Sequence, residues 1–180
     1  MAILASDIKF KYSTKLGSAG NQNTGTAAGS LGKYISTTEI TSAQLNNLFD
    51  DVTGDENVAS DVEYRCIFIH NAHATLTLTN TYAWLSAETA SGADISISLD
   101  EAIASRVVGS SPAQAQEIAN ESTAPSTVTF ISPTTKGAAV AVGAIGPGWV
   151  KAIWVRRTAT SSAALDNDSV TIKIEGDTPA

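Results

Sequence analysis

Apolar and polar residues alternate with a period of two in Thr75-Leu76-Thr77-Leu78-Thr79, in Ile95-Ser96-Ile97-Ser98-Leu99 and in Val170-Thr171-Ile172-Lys173-Ile174-Glu175. That period places successive side chains on opposite faces of an extended chain and predicts strands with one apolar face. In the second of these runs the isoleucines and the leucine are expected to point inward and the serines outward. Tyr64–His70 and Trp149–Val155 are almost continuously apolar or β-branched, which also favours strands. Ile8-Lys9-Phe10-Lys11-Tyr12 alternates near the N-terminus. Asn71–Ala74 reads as a loop joining Tyr64–His70 and Thr75–Thr79 into a hairpin. Tyr82–Leu85, Val128–Ile131 and Ala139–Val142 are further strand candidates. Gly146-Pro147-Gly148 is a tight turn, because proline presets φ and glycine admits left-handed backbone. Seven or eight short strands with frequent turn signals and no helical crossovers predict an antiparallel sandwich.

Helix signals are few. Thr41 followed by Gln44 has capping-box spacing and predicts a short helix with Leu45, Leu48 and Phe49 on its buried face. Ser111, Pro112 and Gln114 predict a second, reaching Ala119. Asp50–Glu56 reads as an acidic solvated loop. Gly17–Gly32 is rich in Gly, Ser, Asn, Thr and Ala, and is expected to be mobile unless it is ordered against a neighbouring chain. The fold class expected is therefore mainly β: an antiparallel β-sandwich, immunoglobulin-like or jelly-roll, with one or two short helices. Residues 1–60 form an extended N-terminal arm in this reading, and residues 61–180 form the sandwich.

Charge narrows the partners. Eleven basic against 18 acidic residues give a net charge of −7, which argues against nucleic acid, whose phosphates are bound through Lys and Arg. No run approaches the roughly 18 apolar residues of a spanning helix, and Asp7 stands where a secretory leader would be basic, so no membrane partner is expected. The expectation is a soluble protein made in a reducing cytoplasm. Cys66, the only cysteine, excludes an intrachain disulfide and reads as a small buried hydrophobe.

Catalytic chemistry finds no foothold in the pattern. His70 and His73 flank a turn and lack a third zinc ligand nearby. Asp51, Thr53 and Asp55 have oxygen ligands at alternate positions, but the closing bidentate Glu of a calcium loop is missing. Neither a nucleophile with its base nor a phosphate-cradling loop stands out, so no catalytic, cofactor or metal residue is assigned. Trp84, Trp149 and Trp154 could stack on sugars, but Trp84 and Trp154 sit in apolar strand segments, which favours the core. Trp149, beside the turn, is the better exposed contact. Arg156 and Arg157 point to opposite faces of their strand and are candidate polar anchors.

Three segments, Tyr64-Arg65-Cys66-Ile67-Phe68-Ile69-His70-Asn71, Gly146–Arg157 and Ile172–Thr178, resemble small virion structural proteins of tailed bacteriophages. The opening Met1–Phe10 and Leu45-Asn46-Asn47-Leu48-Phe49 resemble the same group. The likeness implies a non-enzymatic particle component located in the virion and assembled in the host cytoplasm. It would be either a head decoration (cement) protein or a tail or baseplate accessory. Its partners would be copies of itself and other virion proteins, the major capsid or tail proteins, and it would be a homo-oligomer. Candidate contacts to those partners are Ile8, Phe10 and Tyr12 on the arm, with Trp149, Arg156 and Arg157 on the body. The alternative is a carbohydrate-binding β-sandwich module for adsorption to a host surface.

Overall fold

The computed structural model describes residues 2–18, 22–90, 92–100, 106–107, 114–160, 163 and 168–178. The strands within them are β1 (Ile8–Thr14), β2 (Tyr34–Glu39), β3 (Val62–Asn71), β4 (Leu78–Glu88), β5 (Asp94–Leu99), β6 (Arg106–Val107), β7 (Val140–Ile145), β8 (Trp149–Thr158) and β9 (Val170–Asp177). Among the described residues helix is limited to α1 (Gly54–Ala59) and single 3-10 turns at Ala5–Asp7 and Lys136–Ala138. The chain is mainly β, and its sheets are antiparallel throughout. This arrangement is consistent with a β-sandwich.

The larger sheet has the order β2-β1-β3-β8-β5, with β6 also pairing to β8, and the smaller has the order β7-β4-β9. At the centre of the larger sheet β3 and β8 run in register from Val62 opposite Thr158 to His70 opposite Val150. Both are buried on both faces, which explains their nearly unbroken apolar runs. On one face Ile67, Ile69, Ile95, Ile97, Ile153 and Val155 meet Ala83, Leu85, Val142 and Ile145 of the smaller sheet. On the other, Ile35, Cys66, Phe68, Val150, Ala152 and Trp154 lie beneath Ala115, Ile118, Leu31, Val128 and Phe130, most of which belong to connecting segments. Each large apolar side chain so buried contributes about 1.5–3 kcal/mol.

The structure does not confirm an extended arm. β1 pairs with β2 on one side and with β3 on the other, so residues 8–14 and 34–39 are part of the larger sheet. The glycine-rich segment is seated rather than loose over residues 22–32. Asn23 O accepts from Thr37 N at 2.9 Å, and Ser30 O accepts from Cys66 N at 2.7 Å, completing the edge of β3 that β1 leaves open. Gly32 bridges to Glu117, its backbone at φ +93.

Several expectations are corrected. Thr41–Asp50 is not helical: Ala43 and Asn46 have φ of 60 and 55, which breaks a right-handed helix. The helix begins instead within the acidic stretch. Thr53 accepts from Glu56 N at 3.3 Å while the Glu56 carboxylate accepts from Thr53 N at 2.7 Å, a reciprocal capping box. Residues 114–119 are extended because Ala115 N and Ile118 N donate to Lys33 O and Leu31 O, and the Ser111–Ala113 start of the expected helix lies outside the described residues. The Tyr64–Thr79 hairpin is absent, since β3 and β4 lie in different sheets and the connection crosses between them. Ser96 and Ser98 are buried, not outward-facing, because they share the sheet face of Arg156 and Trp154, against which Phe130 packs.

Candidate functional site

The six residues expected at a partner contact separate into three environments. Ile8, Phe10 and Tyr12 point from β1 into the space between the sheets. Ile8 and Phe10 pack on that core, and the Tyr12 hydroxyl donates to Asn47 O at 2.5 Å. Burial raises the phenol above its ordinary range. Trp149 is half-buried against the same core at the start of β8, its ring pressed on Gly146, where a Cβ would approach it to 2.9 Å.

Arg157 serves the interior. Its Nε donates to Glu63 at 2.7 Å, a second nitrogen bonds the same carboxylate, and the guanidinium also contacts Asp50 O and, at 3.3 Å, the Asp50 carboxylate. Arg65 stands beside it on the same face, 2.6 Å from Glu121 and 3.9 Å from Glu63. The Phe49 ring lies under both cations, 4.8 Å from Arg157 and 5.3 Å from Arg65. Burial pushes the Glu63 carboxyl up, against the pull of Arg157 and Arg65. This buried network pins the 41–50 segment onto the sheet.

Arg156 lies outside this network and forms no ion pair among the described residues. It is half-buried on the opposite face, its guanidinium 5.1 Å from the Phe130 ring centre, and its buried Nε has no hydrogen-bond partner. Directly across the sheet is Ser96, 2% exposed, whose Oγ also lacks a partner. With Thr158, Asp94, Ser132 and Glu88 these residues line a cavity of about 490 Å³. A second cavity of about 410 Å³ adjoins it through Glu88 and Asp94 and extends to Thr89 and Thr160. Glu88 is engaged by Ile95 N at 2.9 Å, and Ser132 donates to Ile95 O at 2.7 Å. The sequence pattern named Arg156 as a candidate contact and did not name Ser96. The signal that marks it, a serine opposite an arginine in adjacent strands, exists only once the register is known.

The other candidate groups have structural roles. His73 Nδ1 accepts from Thr75 N and Leu76 N at 3.1 and 3.0 Å, closing the β3–β4 connection. His70 lies on β3 opposite Lys9, and burial, reinforced by Lys11 and Lys9, lowers its imidazole to about 4. Burial holds the Cys66 thiol well above its ordinary range, so it is not a thiolate nucleophile. Trp84 and Trp154 are buried, and the Trp154 indole donates to the Asp100 carboxylate at 2.9 Å. That carboxylate also accepts from Gln116 N at 2.9 Å, tying β8 to the segment that covers it. Among the described residues no three His, Cys, Asp or Glu side chains converge as a metal site, and no helix is long and apolar enough to cross a membrane. No protein-family model, no curated protein and no solved structure matches the chain.

Proposed function

We propose that this chain is a non-enzymatic structural protein of a tailed-phage particle that binds at seams between subunits, as a capsid decoration (cement) protein or a tail or baseplate accessory. The observation that carries the reading is the outer edge of β9. Among the described residues β9 pairs with β4 alone, which leaves a row of backbone N–H and C=O groups facing outward. Such an edge is a liability for an isolated protein and a docking rail for a neighbour's strand. Beside it, Ile3 N donates to Thr178 Oγ1 at 3.3 Å, and the adjacent Leu4 is 63% exposed. The residues ahead of β1 thus run past the end of the open edge, where they can serve as a fastener. A sandwich of unequal sheets, whose type is immunoglobulin-like or jelly-roll, is the rigid body behind them. Burial of Trp84 and Trp154 removes most of the stacking surface that a carbohydrate module would use.

The reading is tested by adding the purified chain to particles of the encoding phage assembled without it. Saturable co-sedimentation with those particles is expected. Failure to associate with any head, tail or baseplate assembly contradicts it.

A further inference from the structure

The Arg156 notch has the composition of a recognition site. A guanidinium stacked on an aromatic ring uses its face and leaves its in-plane N–H groups available at the edge. Here the face is on Phe130, the buried Nε is unpartnered, and Arg156 forms no ion pair among the described residues. Ser96 adds an unpartnered hydroxyl from a residue that is 2% exposed. Because Ser96 and Arg156 are paired across β5 and β8, their side chains rise from adjacent points on one face. Two residues that line one cavity and each carry an unpartnered donor match the two oxygens of a carboxylate.

Asp94 and Glu88 on the same walls repel any anion, and a dianion such as phosphate more than a monoanion. Asp94 can accept from an N–H donor beside the anion. Phe130 spends its ring on Arg156 and on Tyr64, 5.5 Å away, so among the described residues no free aromatic platform for a sugar stands beside the notch. The adjoining cavity along Glu88, Thr89 and Thr160 shares Glu88 and Asp94 with the notch.

We propose that this notch receives an aspartate or glutamate side chain from a neighbouring subunit, with the carboxylate on Arg156 and Ser96 and the adjacent backbone N–H on Asp94. The inference rests on the particle reading for the identity of the partner. An acidic chain, with 18 Asp and Glu residues, offers many such side chains when the neighbour is a second copy.

The test uses the full-length ¹⁵N-labelled chain and N-acetyl-glutamate amide as the probe, following the Arg156 side-chain N–H resonances. A saturable shift is expected. N-acetyl-glutamine amide should give none, and Arg156→Gln should weaken binding about tenfold or more. Ser96→Ala should weaken binding severalfold with an unchanged or higher melting temperature, because it removes a hydroxyl that has no partner in the free chain. Equal response to the glutamine analogue, or unchanged binding in Arg156→Gln, overturns the proposal. So does binding of glucuronate without binding of the glutamate probe, which would make the notch an acidic-sugar site. The probe experiment uses the isolated chain: a failure here with particle association intact removes the notch alone, and the converse removes the particle reading alone.

Discussion

Among single residues, the charges buried beneath the 41–50 segment respond most sharply to substitution. Glu63 and Arg157 are each less than a tenth exposed and hold one another. Arg157→Ala leaves the Glu63 carboxylate buried without its main partner, and an unfolding free energy lower by about 3–5 kcal/mol is expected in urea titration. Replacing both together, Arg157→Met with Glu63→Leu, should cost far less, since an apolar pair needs no compensation. His70 governs a different window. Its folded value of about 4 lies below the ordinary 6.5, so the folded state resists the proton more than the unfolded chain does. The stability it contributes is complete above pH 6.5 and is lost as pH falls toward 4. His70→Gln should flatten the fall in urea midpoint over that interval. Glu56, Glu117 and Glu175, held low mainly by their hydrogen bonds, act only below the ordinary 4.5. At this scale the sequence placed Arg156 and Arg157 on opposite faces, but it could not say which one is satisfied internally. That depends on Phe49 and Asp50 arriving from a segment more than 100 positions away.

Among elements, the seam between residues 22–33 and 114–121 decides whether the second face of the larger sheet is covered. Gly32 stands at the seam with φ +93, donates its N–H to Ser13 Oγ at 2.9 Å, and has the Gln116 carbonyl where a Cβ would sit. Gly32→Ala therefore meets both backbone strain and a backbone clash. A loss of more than about 2 kcal/mol is expected, together with faster hydrogen exchange at Ala115 and Ile118, whose N–H groups donate across the seam. Strands were the legible elements: β3, β5, β8 and β9 follow from alternation or continuous β-forming runs, because those signals match how their faces are buried. The short helix was misplaced for a physical reason. Thr41 and Thr53 both offer capping spacing, but only Thr53 leads into backbone free to coil, whereas the 41–50 segment is drawn across the sheet by Phe49 and by the Tyr12 hydroxyl. β2 was not recognised because Ser36-Thr37-Thr38 carries no apolar alternation, and its strand character comes from pairing with β1.

At the scale of the fold, the antiparallel β character was readable from periodicity, while the division of the described residues into sheets of six and three strands was not. Local pattern joins β3 to β4 as a hairpin, and only the cores on both faces of the larger sheet separate them. Among the described residues the outer edge of β9 and the Arg156 notch lie at the margins of the two sheets. The proposed role at subunit seams rests on these two features. The most direct test is immunogold labelling of intact phage particles with antibodies against the full-length chain. The proposed function requires label at regular positions on the head surface, the tail or the baseplate; particles carrying no label and no detectable chain would contradict it.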